Sequence, residues 1–273
     1  MVTAAASPAP APSDLGAHTP ATSATGWPDA GVPGASALRE YRTRAAAEKV
    51  TRTRSWPRRV PAGVVLLLLS LPAIVPFGPL ASALGLLVGA AVVALPIWSS
   101  PTAETMHHRT GVIGELEVGR WLQAVVERQQ ALGRGAGVLL DRGCRGSENA
   151  DHVVVASAGV TVVEAKNWSG CARVHKSSYY AGQRSSVDKA AVQANRQAAT
   201  VRRALVAEGV RDVPVHAVVC LVGQARPRVA LQVKGVTVCG ADQLWAALPT
   251  GTLGTRQQLA DVAGALDRCL RAA

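Results

Sequence analysis

The sequence predicts an α/β domain built on a mixed sheet at the C-terminal end of a 273-residue chain, preceded by a transmembrane helical hairpin and a disordered N-terminal tail. Three observations carry this reading. Residues 104–273 alternate helix-period with strand-period segments, and the order α-β-β-β-α-β belongs to a mixed sheet flanked by helices. Between Val60 and Ala103 there is no Asp, Glu, Lys or Arg at all. Residues 1–38 are mostly Ala, Pro, Ser, Thr and Gly, without apolar periodicity, and such a segment cannot bury enough surface to offset its ordering entropy.

Composition narrows the functional classes. A hydrophobic content of 48% is too high for a wholly disordered chain, and a net charge of +11 favours partners carrying phosphate or an anionic membrane surface over acidic proteins. Cys144, Cys171, Cys220, Cys239 and Cys269 are odd in number, scattered, and never in a Cys-x-x-Cys or Cys/His ligand spacing. That pattern points away from a disulfide framework or a zinc site and toward a reducing compartment. The first residues lack a basic segment followed by an uninterrupted apolar one, so the tail does not read as a secretory signal.

Residues 39–59 form a basic juxtamembrane segment containing Arg52, Arg54, Arg58 and Arg59. The uncharged stretch that follows is long enough for two spans, about 60–76 and 79–98, joined at Pro76-Phe77-Gly78-Pro79. A single span at 80–98 behind an interfacial segment is the alternative, because Pro72 weakens the first helix. Arg58 and Arg59 on one side and Arg109 on the other put both ends in the cytoplasm, as only an even number of spans allows. The expected location is the cell (inner) membrane, with the N-terminus and the C-terminal domain cytoplasmic and the lipid bilayer contacted through residues 60–98.

Within residues 104–273, Val112 to Gln130 reads as an amphipathic helix and Val138–Leu140 as a short strand. Asp151–Ala156 and Val160–Lys166 are β-branched strands turned through Ser157-Ala158-Gly159. A fourth strand is expected near Cys171–His175, then a long helix over Val187–Ala207. Pro214 sets off a buried strand, Val215–Val222, and Val236–Cys239 is another. Two helices, Asp242–Leu248 and Thr255–Leu270, complete the pattern.

The chemistry sits on the central hairpin. Glu164 and Lys166 lie two apart on one strand and so share a face, with Asp151 opening the neighbouring strand. Two carboxylates and an ammonium at adjoining strand ends suit a hard cation, since Mg²⁺ takes few carboxylates and completes its shell with other oxygens. Such an ion polarises a phosphodiester and activates water. An isolated Glu-x-Lys triplet, by contrast, is as well read as a surface pair. Glu115 falls on the helical face of Val118, Gly119, Leu122 and Val126, where a carboxylate needs a partner, a metal or the helix dipole. Gln193 shares a face with Ala190, Gln197, Val201 and Ala204 and aims at the sheet, as a site residue or a structural glutamine. His152 points away from Asp151 and reads as structural. No Gly-rich phosphate loop or Ser/His/Asp constellation is apparent.

Taken together, Gly114-Glu115, Asp151-His152 with its valines, Gly159 through Glu164-Ala165-Lys166-Asn167-Trp168 to Gly170, and Gln193 resemble the nuclease-related domain (NERD) family, itself similar to the PD-(D/E)XK nucleases. The likeness covers about residues 110–205. It implies a restriction-endonuclease-like fold, with Asp151, Glu164 and Glu115 as metal-binding acids, Lys166 as the motif lysine and Gln193 as the helix glutamine. One departure is Ala190, where the family often has proline. The resemblance further implies Mg²⁺ or Mn²⁺ as cofactor, nucleic acid, DNA in the first place, as substrate, and phosphodiester hydrolysis. A noncatalytic nucleic-acid-binding or protein-scaffold module on the same fold is the alternative; neither needs three acids that repel phosphate.

Overall fold

A computed structural model describes residues 27–51, 90, 102–143, 149–168, 170, 172–175, 178–181, 185–249, 251 and 254–272. Its contacts divide the chain into two compact units, residues 1–37 with 110–273, and residues 38–109.

The larger unit is layered around a mixed sheet. Its strands are β1 (Ala136–Gly143), β2 (Ala150–Ala156), β3 (Gly159–Asn167), β7 (Val215–Val222), β8 (Leu231–Val233), β9 (Val236–Gly240) and the two-residue edge strand β10 (Arg271–Ala272). Strands β4 (Ala172–His175), β5 (Ser178–Ala181) and β6 (Ser185–Ser186) form a separate antiparallel sheet. The main sheet runs β10-β1-β2-β3-β7-β9-β8. Strands β1, β2 and β3 are an antiparallel meander, whereas β3, β7 and β9 are mutually parallel. The helices are α1 (Ala103–Ala131), α2 (Val187–Ala207), the short α3 (Leu244–Ala247) and α4 (Arg256–Cys269). A mixed sheet covered by helices is the class expected from the sequence.

Strand alternation sorts the core into two faces. Val153, Val155, Val160 and Val162 meet Val201 and Leu205 of α2 and Leu259 and Leu266 of α4. Val154, Val163 and Ala165 meet Val118, Leu122 and Val126 of α1. Fully burying each such Val or Leu contributes about 1.5–3 kcal/mol, so the valine-rich strands bind helices on both sides. The start of α4 is fixed locally: Thr255 caps it by accepting the Gln258 N–H, and the Gln258 side chain reaches back to the Thr255 N–H.

The structure departs from the sequence expectation in its boundaries. Helix α1 starts at Ala103, not near Val112, and β5, β6, β8 and β10 add elements with little period of their own, whereas β4 is the strand expected near Cys171–His175. The expected tail, residues 1–38, is corrected at its end. Residues 27–37 belong to the larger unit, with Trp27 8% exposed in the core beside Leu139. One aromatic and a few hydrogen bonds order this strap in a segment whose composition reads as disordered. The first 26 residues lie outside the described residues.

In the smaller unit the basic segment expected at 39–59 is helical as far as it is described, to residue 51. Arg44 pairs with Glu40 and Glu104, and Glu48 accepts the Thr102 N–H at 2.7 Å and the Thr105 hydroxyl at 2.8 Å. The expected hairpin at 60–98 lies, apart from residue 90, outside the described residues. Among the described residues no helix is long and apolar enough to cross a membrane.

Candidate active site

The site forms where β2 and β3 part. Their last paired residues are His152 and Val163. One step beyond, the Asp151 side chain takes over the acceptor role and receives the Ala165 N–H at 2.9 Å. This fixes the Asp151 carboxylate beside Glu164, on the face that packs against α2. β3 continues alone against β7, with Glu164 opposite Val219 and Lys166 opposite Leu221. Lys166 Nζ lies 2.5 Å from Glu164 Oε1, the two side chains sharing a face of the strand. Glu164 is 1% exposed and Lys166 27%, so the carboxylate is sealed in while the ammonium reaches the surface.

The second Glu164 oxygen accepts from Gln197 Nε2 at 2.6 Å, and the same amide nitrogen donates to the Asn149 carbonyl at 2.8 Å. The glutamine that reaches the acid is thus Gln197, while Gln193 sits half-buried one turn earlier. The path of α2 explains the difference. Val187, Ala190, Ala191 and Ala194 pack on β7 and β9, whereas Ala198, Val201 and Leu205 lie over β2 and β3. The helix crosses the sheet obliquely and passes Glu164 only at Gln197. Both glutamines share a helical face, and only this crossing separates them.

Glu115 stands on the packed side of α1, as its period predicts. Its carbonyl lies 3.0 Å from Nε2 of the fully buried His152, which ties α1 to β2 from the face opposite Asp151. Gly114 lets the helix close on β3, because a Cβ there would stand 2.7 Å from the Cβ of Asn167. Asn167 in turn donates to the Thr110 carbonyl at 3.0 Å. His152 is structural, as expected.

Charge and burial oppose one another here. Burial, reinforced by Asp151, pushes the Glu164 carboxyl up to about 7 although Lys166 and Gln197 pull it back. Burial also pushes Glu115 up to about 8, with Asp151, Asp141 and Glu164 adding repulsion. Burial drives His152 down to about 4, so it is neutral at pH 7. Asp141, 4% exposed on β1, was not singled out from the sequence. Its two oxygens accept from Ser36, 105 residues away, a separation no local pattern reveals.

Among the described residues, no three His, Cys, Asp or Glu side chains are placed as a ready metal cluster. The donor chemistry nonetheless fits a hard divalent cation at Asp151 and Glu164. Burial and repulsion by Asp151 hold Glu164 at raised proton affinity, so this pair lacks positive charge, and Mg²⁺ needs only one or two carboxylates. Gln197 Oε1 is buried close by without a hydrogen-bond partner. Glu115 adds charge to this neighbourhood from the other helix.

A cavity of about 510 Å³ opens at the carboxyl ends of β7 and β9, lined in part by Arg226, Arg228 and Gln243. Gln243 holds its wall by donating to the Pro227 carbonyl at 3.0 Å and accepting from the Gly240 N–H at 3.2 Å. It adjoins β3, because Gly223 lies against the Asn167 side chain. Carboxyl ends of parallel strands are where open α/β sheets bind ligands.

No curated protein and no solved structure matches the chain. The family model described as nuclease-related domain matches residues 110–222, a span running from the start of the Glu115 turn through β7 and holding Asp151, Glu164, Lys166 and Gln197. With those residues gathered at the fork of β2 and β3, residues 110–222 are similar to a nuclease-related domain, a family PD-(D/E)XK-nuclease-like in kind.

Proposed function

We propose that this chain is a membrane-tethered, divalent-metal-dependent nuclease that hydrolyses phosphodiester bonds of nucleic acid on the cytoplasmic side of the cell membrane. The observation that carries the reading is the Asp151/Glu164 pair at the strand fork, with Lys166 on Glu164 and Gln197 behind it. Asp151 and Glu164 would hold the cation. When bound, it supplies Lewis-acid polarisation of the phosphodiester and neutralises developing charge. Gln197 fixes the rotamer of Glu164 by bonding it and the Asn149 carbonyl at once. Lys166, partly exposed, offsets negative charge that builds on the phosphate and orients the attacking water. Arg226 and Arg228, at the neighbouring strand ends, supply charge for the backbone of a bound strand.

The tether rests on the uncharged stretch from Val60 to Ala103 and its arginine flanks. Reporter fusions at residues 38 and 110 that both read cytoplasmic support it, and a fusion at 110 reading outside contradicts it. For the chemistry, the full chain in detergent is incubated with labelled DNA and RNA in Mg²⁺, Mn²⁺ or EDTA. Cleavage with either metal and none in EDTA is the expected result; equal cleavage in EDTA contradicts the reading.

A further inference from the structure

Residues 27–37 fold with residues 110–273, and the chain between them, 38–109, forms a unit of its own. The unit that holds the span similar to a nuclease-related domain therefore takes in chain from both sides of residues 38–109.

The strap 27–37 is fastened along its length. Trp27 covers Gly137, where any Cβ would collide with its ring. The Asp29 carbonyl accepts from Arg142 Nη2 at 2.6 Å, and the Ala30 carbonyl accepts the Leu140 N–H at 2.7 Å, so the strap crosses the edge of β1. Trp27 lies in the core under α2 and α4 while Ala30 packs against the core under α1, so the strap wraps from one face of the sheet to the other. Pro33 then fills the space above Gly119, beside His152.

The last two fastenings touch acids. Gly34 packs against Glu115, its Cβ position lying 3.4 Å from Glu115 Oε2, and with φ of +65° any larger residue there would be strained in its backbone. Ser36 donates its backbone N–H to Asp141 Oδ2 and its hydroxyl to Asp141 Oδ1, the latter at 2.6 Å. Asp141 has φ of +52°, a left-handed conformation uncommon outside glycine that aspartate takes up more readily than most residues. Ser36 stands in the first turn of the helical run 35–51, whose free N–H groups and positive end favour a carboxylate. The strap thus supplies donors to Asp141 and packing to Glu115, two carboxylates that repel one another.

We propose that this strap is a working part of the site, with Ser36 and Gly34 as positioning residues. Ser36 sets Asp141 and Gly34 sets Glu115, so the acidic cluster is fully assembled only with the strap seated. The effect on turnover rests on the nuclease reading of the same site; the docking does not.

The test uses the full chain in detergent, wild type beside Ser36→Ala, Ser36→Thr and Gly34→Ala. Two quantities are read: kcat and KM for metal-dependent cleavage, and amide hydrogen exchange over residues 112–119 and 138–143. Ser36→Ala is expected to lower kcat about tenfold, the scale of one hydrogen bond to a charged group, with KM for nucleic acid unchanged. Threonine, which keeps the hydroxyl, is expected to restore most of it, and Gly34→Ala to lower kcat as well. Exchange in both segments is expected to quicken in Ser36→Ala and in Gly34→Ala. Wild-type kcat in Ser36→Ala, or a loss that Thr does not restore, overturns the positioning role. Unchanged exchange overturns the strap's hold on the acids whatever the activity. Faster exchange in a protein whose wild type cleaves nothing supports the hold and counts against the nuclease reading alone.

Discussion

At the scale of single residues, the site is a problem of uncompensated charge. Glu164 accepts from Lys166 and Gln197, yet burial and Asp151 still raise its proton affinity, and Glu115 is raised further. This has a consequence for stability without metal. Unfolding returns the two carboxyls from about 7 and about 8 to 4.5, so over that interval the folded chain binds more protons and stability falls as pH rises. His152 acts in the opposite sense, being depressed from 6.5 to about 4, but its contribution is complete above pH 6.5. Between pH 6.5 and 8 the two carboxyls, and not His152, set the slope among these three groups. The melting temperature in EDTA is therefore expected to drop by several degrees over that window. Mn²⁺, bound by the ionised carboxylates, is expected to restore most of the loss at pH 8. A melting temperature flat or rising from 6.5 to 8 in EDTA would show that the acids are not forced together as described.

At the scale of elements, the placing of the acids follows from strand alternation and so was readable in advance. Asp151, Glu164 and the valines between them needed only the period of two and a tight turn at Gly159. The packed face of α1 and the place of Glu115 on it followed from the helical period in the same way. Gln197 did not, because the choice between it and Gln193 depends on how α2 crosses the sheet, a tertiary quantity with no local signal. The strap escaped for a related reason, since Ser36 and Asp141 act across 105 residues and a run of Ala, Pro and Ser gives no period to read. The two glutamines provide a comparison. Gln197→Ala leaves a buried carboxylate oxygen and the Asn149 carbonyl without their donor, at a cost of about 1–3 kcal/mol. Gln193→Ala is expected to cost less than about 0.5 kcal/mol. Urea unfolding of both variants decides it, and equal losses would contradict the crossing of α2 given above. At the start of α4, Thr255→Ala removes the cap and is expected to cost about 1 kcal/mol by the same measurement, with unchanged stability the contrary result.

At the scale of the whole molecule, one chain joins a segment similar to a nuclease-related domain to a basic helix and a long uncharged stretch, and residues 27–37 fold in the same unit as that segment. A net charge of +11 suits both an anionic membrane face and a phosphate backbone, so charge alone does not separate tether from substrate surface. The acids do, since a surface built only to hold phosphate gains nothing from Asp151 and Glu164 side by side at one fork with the negative charge of Glu115 added to them. The central claim is that Asp151 and Glu164 hold a divalent cation for hydrolysis. Its most direct test is the initial rate of nucleic-acid cleavage as a function of Mn²⁺ concentration, for the full chain and for Glu164→Gln. The amide keeps the size of the side chain but not the charge. The account predicts saturable metal dependence in the wild type and a loss of about a hundredfold or more in the folded variant at every metal concentration; a variant that cleaves at the wild-type rate would contradict it.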